Sequence, residues 1–370
     1  MNKLFYILLF LLSTLNLFSQ SKDSIQNGYI IAVGGGNDDA ALNKFLQIIK
    51  DTSNTIIIVP TACYDEYIYS KNNCSTYYIN YFKNKGFKNI EVLHTRSRDT
   101  ANSSTFIKPL KRAKGVWFTG GRQPLLADSY LNTSFHNELK SILSKGGVVG
   151  GTSAGATIMG SFLVRGQLEN NTIMIGDHTE GFGFLKNTTI DQHILVRNRQ
   201  FDMFEVLKKN PKLLGIGIDE NTTIVVHNNL MEVLEGSYVA IYDGTLWDRN
   251  HYGSKSLSKK SKQFYFLKPF DQYDIVERKV LTHLNKNPIE LNKKELEKFI
   301  GTYRMDNDTV IINVLEAKLI INKKELYPLT EFEFYNSENE KRYLFTTDRN
   351  GDIDGLKILI DKKYFFKKLN

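Results

Sequence analysis

Cysteine is almost absent, with only Cys63 and Cys74 in 370 residues. A fold held by a disulfide framework is therefore excluded, and with no histidine pattern beside them so is a zinc site. Whether the two pair or stay as thiols is open, because sequence does not give their separation in space. Also missing is any long basic block interleaved with aromatics. The 48 basic residues exceed the 40 acidic ones by a formal charge of +8, spread along the chain, so nucleic acid is not an expected partner. The densest group, Lys255, Lys259, Lys260 and Lys262, lies in a serine-rich stretch that reads as a solvated loop. Beyond residue 20 no segment is apolar enough to cross a bilayer, so stable membrane insertion is not expected.

The N-terminus is different. Met1-Asn2-Lys3 is a short basic start, Leu4 to Leu12 is apolar, and Ser13 to Gln20 is a more polar exit with Ser19 as a cleavage residue. This reads as a secretory signal peptide over residues 1–19, too short for a comfortable membrane span. No cysteine near the exit offers a lipid attachment. The mature protein is expected to be exported, to the periplasm or outside the cell. With 41% hydrophobic and 12% aromatic residues the remainder can bury a substantial core, and its length suits about two domains.

Short apolar runs follow at Gly28 to Val33, Thr55 to Pro60, Ile90 to Leu93, Val116 to Phe118 and Val148-Val149. Helical stretches alternate with them, over Ala40 to Lys50 with Asp38 or Asp39 as cap, over Tyr64 to Lys85, and around Leu139, Ile142 and Leu143. The alternation predicts an α/β fold, a parallel sheet with helices on both faces, spanning residues 20–250. Thr223 to Val226, Met231 to Leu234 and Tyr238 to Tyr242 are expected to extend that sheet at one side. Gly34-Gly35-Gly36 resembles the start of a dinucleotide fingerprint, but Asp39 stands where its third glycine belongs, so a tight turn at a strand tip is the reading. Residues 251–290, polar and charged, read as a linker. Residues 291–370 carry short alternating runs with turns such as Arg349-Asn350-Gly351-Asp352, and predict a small antiparallel β domain without an acid–base or metal cluster.

The stretch with chemical content is Gly151-Thr152-Ser153-Ala154-Gly155, which fits G-x-S-x-G. That pattern puts a serine on a sharp strand-to-helix turn with its hydroxyl exposed above the sheet. The serine needs a base, usually a histidine that a carboxylate orients. Of seven histidines His193 is best placed, beside Asp191 and Gln192 after a strand expected in the same sheet; His136, His178, His227 and His251 have no comparable neighbours. For the carboxylate, spacing leaves Glu169, Asp177, Glu180 and Asp191 as candidates, with Asp191 too near His193 along a strand to turn toward it.

Taken together, Gly34-Gly35-Gly36, Val59-Pro60-Thr61-Ala62, Phe118-Thr119-Gly120-Gly121-Arg122-Gln123, Gly151 to Ala156, Asp191-Gln192-His193 and Gly215-Ile216-Gly217-Ile218-Asp219-Glu220 resemble the cyanophycinase family. These are serine peptidases of the S51 clan, which also holds the aspartyl dipeptidases. The likeness runs from about residue 28 to 245 and implies a domain similar to the class I glutamine amidotransferases. It implies Ser153 as nucleophile, His193 as base and Glu169 as orienting acid, with oxyanion amides from Gly121 and Ala154. Gln123, Asp191, Arg197 and Arg199 match positions that hold substrate. The implied reaction is hydrolysis of peptide or isopeptide bonds at aspartyl residues, with no metal or organic cofactor; a homodimer is left open. Two departures, Arg122 for the family's aspartate and Asp202 for an arginine, reverse charge near the pocket and weigh against cyanophycin itself. The tail, with Phe299-Ile300-Gly301-Thr302-Tyr303, resembles a small lipocalin-like domain appended to some exported serine hydrolases. The competing readings are an α/β-hydrolase esterase, whose histidine falls near the domain's end, and a non-catalytic secreted binding protein.

Overall fold

The computed structural model describes residues 27–370 except 71–72, 168, 235, 249–252, 259–260, 282–288, 337–340, 349, 360–362 and 370. The expected signal peptide, His251, Lys259, Lys260 and Arg349 lie outside the described residues.

Five strands, β1 (Tyr29–Val33), β2 (Thr55–Val59), β3 (Asn89–Val92), β4 (Gly115–Phe118) and β5 (Val148–Thr152), form a parallel array in the order β3-β2-β4-β5-β1. All of Thr55–Val59 is buried, which is why that strand is apolar without alternation: it is covered on both faces. Side chains of opposite parity leave the array on opposite sides. Ile31, Val33, Ile56, Ile58 and Trp117 meet Phe45 and Phe82 of the helices Asp39–Ile49 and Cys74–Asn84. Ile30, Ala32, Ile57 and Val116 meet Phe135, Leu139 and Leu143, of which Leu139 and Leu143 were expected inward. The stretch expected to be helical over Tyr64 to Lys85 is one turn, Asp65–Ile68, followed by Cys74–Asn84. Cys63 and Cys74 are joined as a disulfide between these pieces.

Beyond β1 the sheet continues with Thr223–His227, Leu230–Val233, Gln272–Asp274 and Lys279–Leu281, each antiparallel to its neighbour, giving nine strands among the described residues. The residues expected as a linker thus supply edge strands, so a linker over 251–290 is not what the chain builds. Val239–Tyr242 departs from expectation too. It joins a second sheet of five strands, ordered Tyr265–Leu267, Val239–Tyr242, Leu214–Ile218, Leu185–Gln192 and Gly160–Phe162. Ile190, Ile216, Ile218 and Ile241 of this sheet share one apolar core with Ile30, Ala32 and Val149 of the first. Residue alternation tells strand from helix but not which of two sheets a strand joins.

The C-terminal part is a closed barrel of eight antiparallel strands, from Gly301–Met305 to Lys363–Leu369, each bonded to the next in sequence and the last to the first through Thr302 and Leu369. Asn322 and Lys323 both have positive φ, the geometry a two-residue hairpin turn needs. The helix Lys293–Glu297 leads in, capped by Asn292 and Glu295 each bonding the other's backbone. Leu296 and the fully buried Phe299 join the barrel core, with Phe299 4.5 Å from the ring of Phe345.

Candidate active site

Ser153 closes β5 and precedes the short helix Ala154–Thr157. Its φ is 52° and its ψ −112°, strained for a residue with a Cβ, as a nucleophile elbow requires. Its hydroxyl lies 3.0 Å from His193 Nε2. On the other side of the ring, Nδ1 lies 2.6 Å from Glu220 Oε1. With the imidazole neutral and its proton on Nδ1, the serine donates to Nε2 and Nδ1 donates to the glutamate.

The three residues come from two sheets. His193 follows Leu185–Gln192 and Glu220 follows Leu214–Ile218, neighbouring parallel strands of the second sheet, while Ser153 is on the first. One short piece of backbone links them. The amides of Ser153, His193 and Asn221 donate to the carbonyls of Val33, Gly34 and Gly35, three consecutive residues, at 2.9, 3.0 and 2.8 Å. Gly35 has φ +105°, and a Cβ there would stand 2.1 Å from His193 Cε1. The turn read at Gly34 to Gly36 is therefore what the histidine ring rests on. Asp219 fixes the same region from beneath, its Oδ1 accepting from the amides of Leu195 and Val196.

Glu220, not Glu169, is the carboxylate that meets the histidine. Glu169 sits exposed on a turn closed by Gln167 and Thr172, which carries its side chain outward. Asp177 pairs with His178, and Glu180 bridges to Phe162 by its backbone. Glu220 was visible in the sequence as the end of Gly215 to Glu220. The usable signal was an acidic residue closing a strand next to the histidine's own, but that adjacency is a fact of the sheet.

The segment Gly120–Gly121 faces the serine: a Cβ on Gly120 would be 3.3 Å from that of Ser153. Gly121 has φ +136° and lies against Ala62, where a Cβ would be 2.2 Å from the carbonyl oxygen. Ala154 is buried directly after the serine. Gly121, next to Gly120, and Ala154, next to Ser153, adjoin these positions in sequence.

The four residues expected to hold substrate separate into two groups. Asp191 and Arg199 are buried and paired with each other at 3.2 Å. Arg199 also donates to the Asn171 carbonyl and, at 2.6 Å, to its side chain, so its guanidinium ties the 167–172 turn to the strand end. Burial pushes Asp191 up to about 7 even though Arg199 pulls it down. Gln123 is buried and donates from Nε2 to the Val164 carbonyl at 2.6 Å. Arg197 alone of the four is exposed. Of the two departures, Arg122 donates to the Tyr64 hydroxyl at 2.6 Å, and Asp202 accepts from the Ile173 amide at 2.9 Å.

Burial holds His193 below its ordinary range; Arg197 adds to this and Glu220 opposes it. A ring that is neutral near pH 7 can take a proton from the serine. Elsewhere, His136 meets the Phe182 carbonyl, His178 meets Asp128, and His227 stacks on Tyr29. Among the described residues no group of three or more His, Cys, Asp or Glu could hold a metal ion, and no helix is long and apolar enough to cross a membrane.

The sequence profile of Peptidase family S51 matches residues 30–234, more than half of the chain. The chain belongs to peptidase family S51. This S51 member is a serine-type peptidase, and its relatives agree. A cyanophycinase of Geminocystis herdmanii is 28% identical over 232 residues, covering 60% of this chain and 84% of that protein. A cyanophycinase of Trichormus variabilis is 27% identical over 271 residues, 70% of this chain and 89% of that one. Among solved structures, a peptidase from an acI-B1 Actinobacterium superimposes with a TM-score of 0.48 at 21% identity, covering 65% of this chain and 99% of that one.

Proposed function

We propose that this S51 peptidase hydrolyses a peptide or isopeptide bond at an aspartyl residue, through Ser153, His193 and Glu220. The observation that carries the reading is the unbroken chain of contacts from the Ser153 hydroxyl through both ring nitrogens of His193 to Glu220, at 3.0 and 2.6 Å.

Ser153 attacks the carbonyl carbon while His193 Nε2 takes the hydroxyl proton. Glu220 holds Nδ1–H, which fixes the tautomer and offsets the charge of the imidazolium. The carbonyl oxygen becomes an oxyanion between the amides of Gly121 and Ala154. The C–N bond then breaks, His193 gives its proton to the leaving amine, and an acyl-enzyme remains. Water then attacks the acyl carbon as His193 takes its proton, the bond from that carbon to the Ser153 oxygen breaks to release the acid, and His193 returns the proton to the serine. Arg197, an exposed cation whose charge reaches the His193 ring, would receive an aspartyl carboxylate, while Gln123, Asp191 and Arg199 are held in buried hydrogen bonds. The names of the related cyanophycinases favour an aspartyl substrate. Arg122 and Asp202, which reverse charge against the pattern the family resemblance implies, favour a short aspartyl peptide over the polymer.

Export through the N-terminal segment belongs to the same proposal; the Cys63–Cys74 disulfide suits an oxidising compartment. Labelling by a fluorophosphonate that is lost in Ser153→Ala, together with assays of α-aspartyl dipeptides, β-aspartyl-arginine and cyanophycin, tests the reading. Cleavage of esters with none of these peptides would overturn it. Fractionation of cells carrying the full chain tests export.

A further inference from the structure

A cleft of about 350 Å³ is lined by Tyr64 and Tyr67, at the one-turn helix Asp65–Ile68, and by Tyr77 of the helix Cys74–Asn84. The rest of its lining is the Cys63–Cys74 disulfide and the pair Gly120 and Gly121. Neither glycine presents a side chain, so that part of the wall is bare backbone. Gly120 also reaches the nucleophile: a Cβ on it would stand 3.9 Å from the Ser153 hydroxyl oxygen. A group held in the cleft is therefore about one residue's length from the reacting atoms. None of the three tyrosines has a part in the steps above.

Tyr64, Tyr67 and Tyr77 are 47, 59 and 63% exposed. Single exposed apolar residues are ordinary, but several gathered around a concave surface mark a binding site. Two of the rings are braced. Arg122 donates to the Tyr64 hydroxyl, with its guanidinium 5.7 Å from that ring. Tyr77 stacks on Tyr81 at 6.0 Å and meets Tyr78 edge-on at 5.2 Å. The disulfide joins the two segments that carry them. Rings held in this way lose little further freedom when a ligand arrives. The lining also selects the ligand's chemistry, because none of its residues carries a formal charge. A cation entering beside Tyr64 would meet the like charge of Arg122. A carboxylate would meet the negative faces of the rings. An aromatic side chain meets neither penalty, and gains edge-to-face or offset contacts beyond its area.

We propose that Tyr64, Tyr67 and Tyr77, with the Cys63–Cys74 disulfide, form a subsite that takes an aromatic side chain of the peptide substrate. This rests on the peptidase reading, because Gly120 ties the cleft to the reaction only if Ser153 is the nucleophile. The preferred substrate is then an aspartyl peptide with an aromatic neighbour, on the amino or the carboxyl side of the aspartyl residue. The ring contacts lie away from the reacting carbonyl and are equal in ground state and transition state. Their gain therefore falls on KM and leaves kcat unchanged.

The experiment uses two matched pairs of aspartyl peptides, phenylalanine against alanine before the aspartyl residue and phenylalanine against alanine after it. In the wild type the phenylalanine member of at least one pair should be favoured about tenfold, and no less than about fivefold, in kcat/KM through KM. The responding pair identifies the side. In Tyr64→Ala/Tyr67→Ala that ratio should collapse to within about twofold. Smaller ratios in both pairs of the wild type overturn the proposal, whether or not the variant folds. So does a larger ratio that survives in the folded double variant. Should circular dichroism show the double variant unfolded, Tyr67→Ala decides, since most of that residue is exposed. A ratio reduced by about threefold or more supports the subsite, and a smaller reduction overturns it. If the wild type cleaves none of these peptides, the aspartyl-peptidase reading fails separately. The subsite is then decided by saturation-transfer NMR with N-acetylphenylalanine amide and N-acetylalanine amide. Transfer to the aromatic amide alone, lost in the variant, supports it; any other result overturns it.

Discussion

In the barrel every strand bonds the strand that follows it in sequence. In the peptidase domain β1 bonds strands that begin at Val148 and Thr223. The first arrangement needs only short loops to close; the second must bring distant segments together before any contact rewards the entropy lost. The difference coincides with where chemistry is found. Contacts between distant segments let Ser153, His193 and Glu220 meet from two sheets. The barrel interior is filled by Phe299, Phe334 and Phe345.

The contrast can be pressed hardest at the triad. Ser153→Ala should lower kcat/KM by at least about a thousandfold, and Glu220→Gln by roughly a hundredfold to ten-thousandfold. Glu169→Gln should change it within about twofold, since that side chain is exposed. Steady-state kinetics on an aspartyl dipeptide decides between the two acids, and loss in Glu169→Gln alone would restore the sequence-based assignment. Next, Gly35→Ala should cost about a hundredfold in kcat, because the added methyl displaces the His193 ring although no member of the triad is itself substituted. A Tm close to wild type would separate that from unfolding.

On the other side of the comparison, Phe299→Ala should destabilise the barrel by about 3–5 kcal/mol. Its kcat/KM should stay within about twofold of wild type. A large loss of activity would make the barrel part of the catalytic unit. The smallest effect concerns pH. The base works only unprotonated, so kcat/KM should rise with pH through a midpoint below 6.5, because burial first and Arg197 second hold the His193 ring below that value. Arg197→Gln removes one depressing charge and should move the midpoint upward.

The same contrast explains what could be read from residues alone. The parallel array was legible because strands buried on both faces must be continuously apolar, as Thr55–Val59 is. The antiparallel character of the tail was legible from alternation such as Val310 and Ile312 inward with Ile311 outward. Ser153 and His193 carry local marks, an elbow motif and a strand end. Glu220 carries none that points to His193, because the two are neighbours only through the pairing of Leu214–Ile218 with Leu185–Gln192. The division into two sheets was hidden for the same reason. Tyr238 to Tyr242 has the pattern of a strand in either one, and the edge strands at Gln272 and Lys279 are three residues each, embedded in polar sequence.

Val33, Gly34 and Gly35 act as a common gauge block for the reacting groups. Warming that loosens the packing between the two sheets leaves the serine-to-imidazole spacing unchanged as long as those three carbonyls keep their amides. Thermal inactivation should therefore be abrupt, following release of that one tripeptide and lagging behind the gradual swelling of the surrounding core.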